Sequence, residues 1–215
     1  MKSFLIIGLG SFGHHLCRAL AQQRCEIMIA DNTSAPLEDL LPLVVSAKVG
    51  DCTSENVLRS FDVESFDACF VCVGDNILAS LQITSLLKEL GAKKVFSKAS
   101  DDVQAKFLLR NGADEIIYPE QEVAANIAVS ESSDSIFDCI RLTADYSIYE
   151  LEPNRRWLGK SLKELNFRNK YNLTVIAVMQ DGIIRPNLHP DYVFKAEEHL
   201  LVLGKIEDIQ KVLNH

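Results

Sequence analysis

The sequence has no apolar segment approaching the roughly 20 residues that a membrane-spanning helix needs. Low-complexity segments and internal repeats are also absent from its 215 residues. The first apolar run, residues 4–7, is too short for the core of a signal peptide, and it ends in glycines instead of a cleavage site. We therefore expect a cytoplasmic protein that reaches the inner face of a membrane only through a partner.

Positive charge is scarce. The chain has 22 Lys and Arg against 30 Asp and Glu, a formal net charge of -8, and its basic residues are scattered along the sequence. A surface of this kind repels phosphate backbones unless a basic patch is strongly segregated. We therefore expect no nucleic acid partner.

Six cysteines invite a metal or disulfide interpretation, and the spacing of Cys69 and Cys72 is the most suggestive. Both lie in a run that is typical of a β-strand, where residues three apart point to opposite faces. We expect all six to be small buried apolar residues in a reducing compartment. They are Cys17, Cys25, Cys52, Cys69, Cys72 and Cys139.

The first half of the chain alternates apolar strand-like runs with amphipathic helical patterns. The six runs are 4–7, 26–30, 44–49, 68–73, 94–97 and 115–117, and the helical patterns are 12–23, 35–41, 54–60, 77–90 and 101–111. Nearly continuous apolar strands that alternate with helices predict a parallel sheet covered on both faces. We predict an α/β fold with a Rossmann-type, doubly wound parallel sheet over residues 1–118.

The pattern changes after Tyr118. Pro119 suits the first turn of a helix, so residues 119–134 are predicted to form a crossover helix and linker. Short strands at 136–142, 147–151, 173–179 and 199–203, with helices at 161–165 and 205–213, predict a small α+β domain over 135–215. A domain of this size is too small to be the substrate domain of a typical dehydrogenase.

A glycine-rich loop joins the first strand to the first helix. Gly8 suits the tight turn, Gly10 the close approach of a pyrophosphate, and Gly13 the packing of helix on strand. The helix N-terminus adds unpaired amides and a partial positive charge. Asp31, 18 residues after Gly13 at the end of the second strand, suits ribose hydroxyls and disfavours a 2′-phosphate. These features predict a nucleotide site that does not favour NADP.

Three further segments end at the same edge of the predicted sheet. Residues 50–53 follow the third strand, residues 74–76 follow the fourth, and Lys98 ends the fifth. Each segment also has an ordinary interpretation, either as a helix cap or as a solvated lysine. Their common location nevertheless favours a shared crevice.

The sequence resembles the KtrA/TrkA-type regulators of potassium transport, the RCK domain family. The motifs that carry the resemblance are residues 7–13, 50–53, 86–91, 111–120 and 158–165. The resemblance implies a regulatory subunit, not an enzyme, that senses ATP, ADP or NAD(H) and gates an integral-membrane potassium transporter. It also implies a crossover helix swapped between neighbouring subunits and dimers that assemble into an octameric ring.

The resemblance assigns nucleotide contacts to particular positions. The three loop glycines would contact the phosphates, Asp31 the ribose, and Asp51 and Cys52 the adenine side. Gly74, Asn76 and Lys98 would line the phosphate and second-sugar side. The full predicted set is Gly8, Gly10, Ser11, Phe12, Gly13, Asp31, Asn32, Asp51, Cys52, Gly74, Asn76 and Lys98. Many relatives carry arginine at the position of Ser11. Serine removes that fixed charge, which makes dinucleotide binding relatively more favourable.

Glu120 has two interpretations. At the start of the crossover helix its carboxylate suits the helix dipole. In the family's pattern the equivalent glutamate pairs with its symmetry mate and binds a cation near the phosphates. Oxygen ligands favour Ca²⁺, Mg²⁺ or Na⁺ there.

A second ligand is predicted for the small domain, because some relatives bind cyclic di-AMP there at a dimer interface. Arg168 is the predicted phosphate partner, and Ile184 and Pro186 are predicted to pack against adenine. The alternative is a solvated arginine beside an ordinary Asp-Gly hairpin at residues 181–182.

Two other functions fit the glycine loop. An NAD-dependent oxidoreductase needs a general acid or base near the reacting group, and the five histidines offer little for that role. A stand-alone nucleotide-binding module that serves another partner cannot be separated from a transporter subunit by sequence alone.

Overall fold

The computed structural model describes residues 1–131, 135–143 and 145–213, apart from the side chain of Ser130. The chain forms two compact units, Met1–Glu120 and Gln121–His215. No helix among the described residues is long and apolar enough to cross a membrane.

The first unit is built on a six-stranded parallel sheet, which confirms the predicted Rossmann-type architecture. Its strands are β1 (Lys2–Ile7), β2 (Cys25–Asp31), β3 (Ser46–Val49), β4 (Ala68–Val71), β5 (Val95–Lys98) and β6 (Glu115–Ile117). Their spatial order is β3-β2-β1-β4-β5-β6. The order therefore reverses between β1 and β4, where folds of this kind bind ligands beyond the carboxyl ends of the strands.

Helices cover both faces of this sheet. They are α1 (Ser11–Ala21), α2 (Glu55–Arg59), α3 (Ile77–Glu89) and α4 (Asp102–Arg110). Leu5 and Ile7 belong to the core on one face, whereas Ile6 belongs to the core on the other. Cys69 and Cys72 are divided between the two cores in the same way, and all six cysteines are free. The prediction that these two cysteines point to opposite faces is confirmed.

The predicted helix at 35–41 is wrong. Two short 3₁₀ turns, Ala35–Leu37 and Leu41–Leu43, occupy this segment, and each has a proline in its first two positions. Pro36 fits a first turn, but Pro42 disfavours helical geometry at the residue before it and lacks the N–H that a continuing helix needs. The segment therefore cannot form one continuous helix.

Helix α5 extends from Pro119 to Glu131. It begins where the proline predicts a first turn. Residues 132–134 of the predicted crossover segment lie outside the described part of the chain.

The second unit is built on a five-stranded antiparallel sheet in the order β10-β9-β11-β8-β7. Its strands are β7 (Ile136–Arg141), β8 (Tyr146–Leu151), β9 (Thr174–Gln180), β10 (Ile183–Pro186) and β11 (His199–Lys205), and its helices are α6 (Leu162–Leu165), α7 (Phe167–Tyr171) and α8 (Ile206–Leu213). The predicted small α+β fold is confirmed. Helix α7 was not predicted. Strand β10 pairs with β9 across the Asp-Gly turn at 181–182, which confirms the hairpin that the sequence indicated there.

An aromatic cluster organises the core of the second unit. The Trp157 ring lies 4.8 Å from that of Phe167 and 5.3 Å from that of Tyr171, centroid to centroid. Trp157 is buried, and Phe194 packs beside it. Ser161 and Glu164 form a reciprocal capping box that starts α6 next to this cluster.

Candidate functional site

A cleft of about 250 Å³ lies at the carboxyl ends of the central strands of the first unit. Eight of the twelve predicted nucleotide positions line it: Gly8, Gly10, Asp31, Asn32, Asp51, Cys52, Gly74 and Asn76. The other four, Ser11, Phe12, Gly13 and Lys98, do not line it. The cleft therefore brings together segments that follow β1, β2, β3 and β4.

The conformation of Gly8 requires glycine. Its φ is +88°, in the region that side chains with a Cβ rarely adopt, and a Cβ there would lie 2.8 Å from Cγ2 of Val73. The tight turn out of β1 depends on this residue.

Gly10 and Gly13 have opposite surroundings. A Cβ on Gly13 would lie 2.0 Å from the carbonyl oxygen of Gly8, so Gly13 allows α1 to pack closely on the turn. A Cβ on Gly10 would meet no protein atom within 4 Å. Gly13 is therefore a packing glycine, whereas Gly10 presents bare backbone to the cleft.

No side-chain cap accepts a hydrogen bond from the backbone N–H groups in the first turn of α1. Gly10 is the N-cap and makes no side-chain hydrogen bond, and no acidic residue lies in the first turn. Ser11 and Phe12 belong to this turn, so they can contribute backbone N–H groups although they do not line the cleft. A helix N-terminus in this state attracts anions.

Asp31 fixes the glycine loop. Its Oδ2 accepts a hydrogen bond from the backbone N–H of Leu9 at 2.8 Å, and its Oδ1 accepts from the N–H and the hydroxyl of Thr33, both at 3.0 Å. A carboxylate has about four acceptor positions. Asp31 can therefore hold the loop and still accept a hydrogen bond from a hydroxyl group of a ligand.

Asp51 and Cys52 form the neighbouring wall. Hydrogen bonds from the hydroxyl and backbone N–H of Thr53, at 2.7 and 2.9 Å, lower the pKa of Asp51. Burial, followed by the charges of Asp51 and Asp31, raises the pKa of the Cys52 thiol to about 12. Cys52 therefore stays neutral near pH 7 and contributes apolar surface instead of a nucleophile.

Asn76 is a helix cap that also lines the cleft. Its Oδ1 accepts a hydrogen bond from the backbone N–H of Ala79 at 3.0 Å and caps α3. Ala79 and Ile83, four residues apart on α3, line the cleft as well, and sequence reasoning missed both. Their spacing of four residues, which places both on the same face of a helix that starts after Asn76, could have indicated them.

Lys98 and Glu120 form an ion pair, with Nζ 2.6 Å from Oε1. Lys98 lies beside Gly74, because a Cβ on that glycine would be 3.3 Å from the lysine Nζ. The hydrogen bond from Lys98 lowers the pKa of Glu120. Among the described residues, no group of three or more His, Cys, Asp and Glu could hold a metal ion. One chain thus supplies a single, already paired carboxylate, which does not fit a cation site by itself.

The three residues predicted to bind cyclic di-AMP are not brought together within one chain. Arg168 on α7 lines a cavity of about 410 Å³ whose wall includes Val175 and Pro190. Ile184 and Pro186 lie on β10, where both are exposed, and neither lines this cavity. The apolar residues that line the cavity with Arg168 come from α6, α7, the start of β9 and the loop after β10, and residue spacing alone did not indicate them.

No histidine lines the cleft of the first unit. His14 Nε2 instead hydrogen-bonds Asp39 Oδ2 at 2.8 Å, and His199 Nδ1 pairs with Glu150 Oε1 at 2.6 Å in the second unit. His215 lies outside the described residues. Neither histidine of the first unit, His14 or His15, is thus among the residues that line the cleft.

Comparison with known domain families gives a match over most of the chain. The TrkA-N domain matches residues 4–119, and the TrkA-C domain matches residues 146–215. The chain belongs to the TrkA family. The predicted resemblance is confirmed, and the two matched segments of the TrkA-family chain fall on the two structural units.

Relatives with named roles cover this TrkA-family chain almost completely. It is 33% identical to the Ktr system potassium uptake protein C of Bacillus subtilis (strain 168), over 98% of this chain and 95% of that protein. It is also 33% identical to the Ktr system potassium uptake protein A of the same strain, over 99% of this chain and 96% of that protein.

Solved structures share the fold of this TrkA-family chain. A structure of the GsuK channel bound to NAD matches 100% of this chain and 40% of its own, with a TM-score of 0.69 and 15% identity. The AMP-bound form of the Shewanella denitrificans Kef CTD matches 61% of this chain and 80% of its own, with a TM-score of 0.53 and 20% identity. At these identities the likeness concerns the fold alone.

Proposed function

We propose that the chain is a nucleotide-sensing regulatory subunit that gates an integral-membrane potassium uptake transporter from the cytoplasmic side. The observation that carries this proposal is the 33% identity to two Ktr potassium uptake proteins over nearly the whole of each chain. The cleft at Gly10 is the part of the molecule that would sense the ligand.

The proposed ligand is ATP, ADP or NAD(H). Its phosphates lie against the bare backbone of Gly10 and the unpaired amides at the start of α1, and Asp31 accepts a ribose hydroxyl. Asp51 and Cys52 face the adenine side. The fold shared with proteins bound to NAD and AMP supports this class of ligand. A 2′-phosphate beside the Asp31 carboxylate is repelled, so NADP binds more weakly.

The regulatory assembly is proposed to be a homo-oligomer in which dimers build an octameric ring on the transporter. The predicted cation would need Glu120 to leave Lys98 and to meet the carboxylate of a second copy. One chain does not hold such a cation, and the proposed nucleotide sensing does not depend on it. Cyclic di-AMP at Arg168 likewise requires a second copy to complete its apolar wall.

Binding without chemical conversion is the proposed role of the cleft. The titratable side chains that line it are three aspartates and the thiols of Cys52 and Cys72, and no histidine is among them. Burial raises the pKa of both thiols to about 12, so both stay neutral near pH 7. Nucleotide binding would therefore change the conformation of the subunit without consuming the ligand.

Titration calorimetry of the full chain with ATP, ADP, NAD⁺, NADH and NADP⁺ tests the ligand. We expect at least one adenine ligand without a 2′-phosphate to bind near 1 μM, about -8 kcal/mol, and NADP⁺ to bind about tenfold more weakly. Failure of every ligand at 1 mM, about -4 kcal/mol, would contradict the proposal. Steady consumption of NADH would support the oxidoreductase alternative instead.

Measurement of potassium uptake by cells tests whether the partner is a potassium transporter. Cells that lack their own potassium uptake and express a Ktr-type membrane subunit should take up potassium at a different rate when this chain is co-expressed. Multi-angle light scattering of the same preparation should give the mass of an octamer. A protein that binds nucleotide but leaves uptake unchanged would be a stand-alone nucleotide module.

A further inference from the structure

One cavity in the second unit has no role in the proposed function. It encloses about 680 Å³ between the segment that follows β8, helix α7 and helix α8. It shares no lining residue with the cleft at Gly10 or with the cavity at Arg168. Its volume falls in the range of small-molecule binding sites.

The rim of this cavity is strongly basic on an acidic chain. Arg156, Lys160, Lys170 and Lys211 line it together with one carboxylate, that of Asp208, although the whole chain carries a net charge of -8. Within residues 1–131, 135–143 and 145–213, the first three of these cations make no ion pair. An excess of unpaired positive charge around a concave surface attracts anions.

The carboxylate of Asp208 is already neutralised. Lys211 Nζ lies 2.8 Å from its Oδ1, and Asn172 Nδ2 donates to its Oδ2 at 2.7 Å. These two hydrogen bonds, in that order of size, lower the pKa of Asp208. Because both oxygens are occupied by donors, Asp208 offsets mainly the charge of Lys211 and makes no ion pair with the other three cations.

The floor of the cavity is apolar and partly aromatic. Trp157 is 2% exposed, Leu165 7% and Val212 6%, and all three line the cavity. The ring of Tyr171 stands 5.3 Å from that of Trp157, edge to face. This surface suits a flat apolar group.

Hydrogen bonds hold one wall of the cavity in place. The Asn154 side chain accepts from the backbone N–H of Arg156 at 3.0 Å and donates to the carbonyl of Val212 at 3.3 Å. It thus joins the loop after β8 to the end of α8. A wall tied at both ends loses little freedom when a ligand binds, which favours affinity.

We infer that this cavity binds a small organic anion with a flat apolar body, whose charge meets Arg156, Lys160 and Lys170 and whose body packs against the half-buried ring of Tyr171 beside Trp157. An inorganic anion reaches the rim but leaves the apolar floor uncovered. A neutral aromatic molecule covers the floor but leaves the three cations unpaired. The combination of rim and floor selects a ligand with both parts.

A fluorescence titration of the full chain with 1-anilinonaphthalene-8-sulfonate tests this inference, because the probe joins a sulfonate to an aromatic body. Trp157 is the single tryptophan of the chain and lies in the floor of the cavity, so its emission reports on occupancy. We expect saturable binding with a Kd in the micromolar range and a matching change in Trp157 emission.

Two neighbouring arginines provide a matched comparison. Arg156 lines the cavity, whereas Arg155 does not, and both are exposed. The double variant Arg156→Gln/Lys160→Gln should raise the Kd about tenfold, equivalent to about 1.4 kcal/mol. The control Arg155→Gln/Lys163→Gln removes the same two charges at exposed positions that do not line the cavity and should change the Kd less than about twofold. Thermal unfolding of each variant checks that the exposed substitutions leave the fold intact.

Several results would overturn the inference. They are no saturable binding, an unchanged Kd in Arg156→Gln/Lys160→Gln, or an equal loss in Arg155→Gln/Lys163→Gln, which would indicate only a general charge effect. Equally tight binding of uncharged N-phenyl-1-naphthylamine would indicate an apolar cavity without anion recognition. Displacement of the probe by inorganic phosphate at equal concentration would indicate a site for small inorganic anions.

Discussion

The cleft of the first unit and the cavity of the second are built from different parts of the chain. Backbone groups, glycines and short acidic side chains form the cleft. Long cationic side chains over a buried tryptophan form the cavity. The cleft should therefore be damaged by adding a single Cβ atom, whereas the cavity should be damaged by removing charge or aromatic surface.

The largest expected effect is a loss of stability that is confined to the second unit. Trp157→Ala removes a side chain that is 2% exposed and leaves a cavity in the core of the second unit, which should cost about 3–5 kcal/mol of its unfolding free energy. Urea denaturation followed by circular dichroism measures this loss. Phe137→Ala, at a position that is 42% exposed, is the control and should cost far less. Equal losses would mean that Trp157 does not organise this core.

Gly13→Ala should have the next largest effect. The new Cβ would lie 2.0 Å from the carbonyl oxygen of Gly8, so the helix must shift, at a cost of about 1–3 kcal/mol. Thermal unfolding of the first unit should record the loss. Gly10→Ala adds the same methyl group where no protein atom lies within 4 Å and is the matched control. A Gly13→Ala protein as stable as Gly10→Ala would show that the contact between loop and helix is looser than described.

Asp31→Ala should destabilise the glycine loop by about 1–2 kcal/mol, because the N–H of Leu9 loses its acceptor. Nucleotide affinity should fall as well, since the loop and the ribose share this carboxylate. Thr33→Val removes only the hydroxyl donor to the same carboxylate and should have a smaller effect on both quantities. Calorimetry and urea denaturation of the two variants give the comparison, and unaltered binding by Asp31→Ala would contradict the ribose role.

The smallest expected effect concerns pH. The pKa of Asp208 is lowered in the folded chain. Its ionised carboxylate therefore adds to the free energy of unfolding at neutral pH, and this stabilisation is lost as the pH falls below the ordinary pKa of about 3.9. Asp208→Asn should cost less than about 1 kcal/mol at pH 7 and should weaken the acid dependence of stability between pH 5 and 2. Urea midpoints at pH 7 and pH 3 measure both. Asp145→Asn, at an exposed position outside the cavity, is the control, and equal pH profiles for all three proteins would contradict the assignment.

The sequence predicted the parallel sheet better than the second unit. Its strands are nearly continuous apolar runs, each bounded by a helix or a glycine turn, so their period and length are unambiguous. Strand β10 is exposed along its whole length, so it has no alternating pattern to detect. The segment 35–41 has apolar residues at helical spacing, but its prolines outweigh that pattern.

The candidate sites show the same contrast. The glycine loop and the segments after parallel strands must meet at one edge of the sheet, so most of the predicted nucleotide positions line the cleft. Ser11 and Phe12 belong to the first turn of α1 and do not line the cleft, but their backbone N–H groups can still serve a ligand. The cavity at Trp157 draws on residues from 154 to 212 without a motif that joins them, and residue spacing gave no signal for it.

Calorimetric titration of Gly10→Ala with whichever of ATP, ADP, NAD⁺ or NADH binds the native chain tests the central claim most directly. The cleft at Gly10 is proposed to hold the phosphates, so the added Cβ should weaken binding at least about tenfold, or about 1.4 kcal/mol. The unfolding temperature should stay unchanged, because that Cβ meets no protein atom. Native-like affinity in a folded Gly10→Ala protein would contradict a phosphate site at this loop.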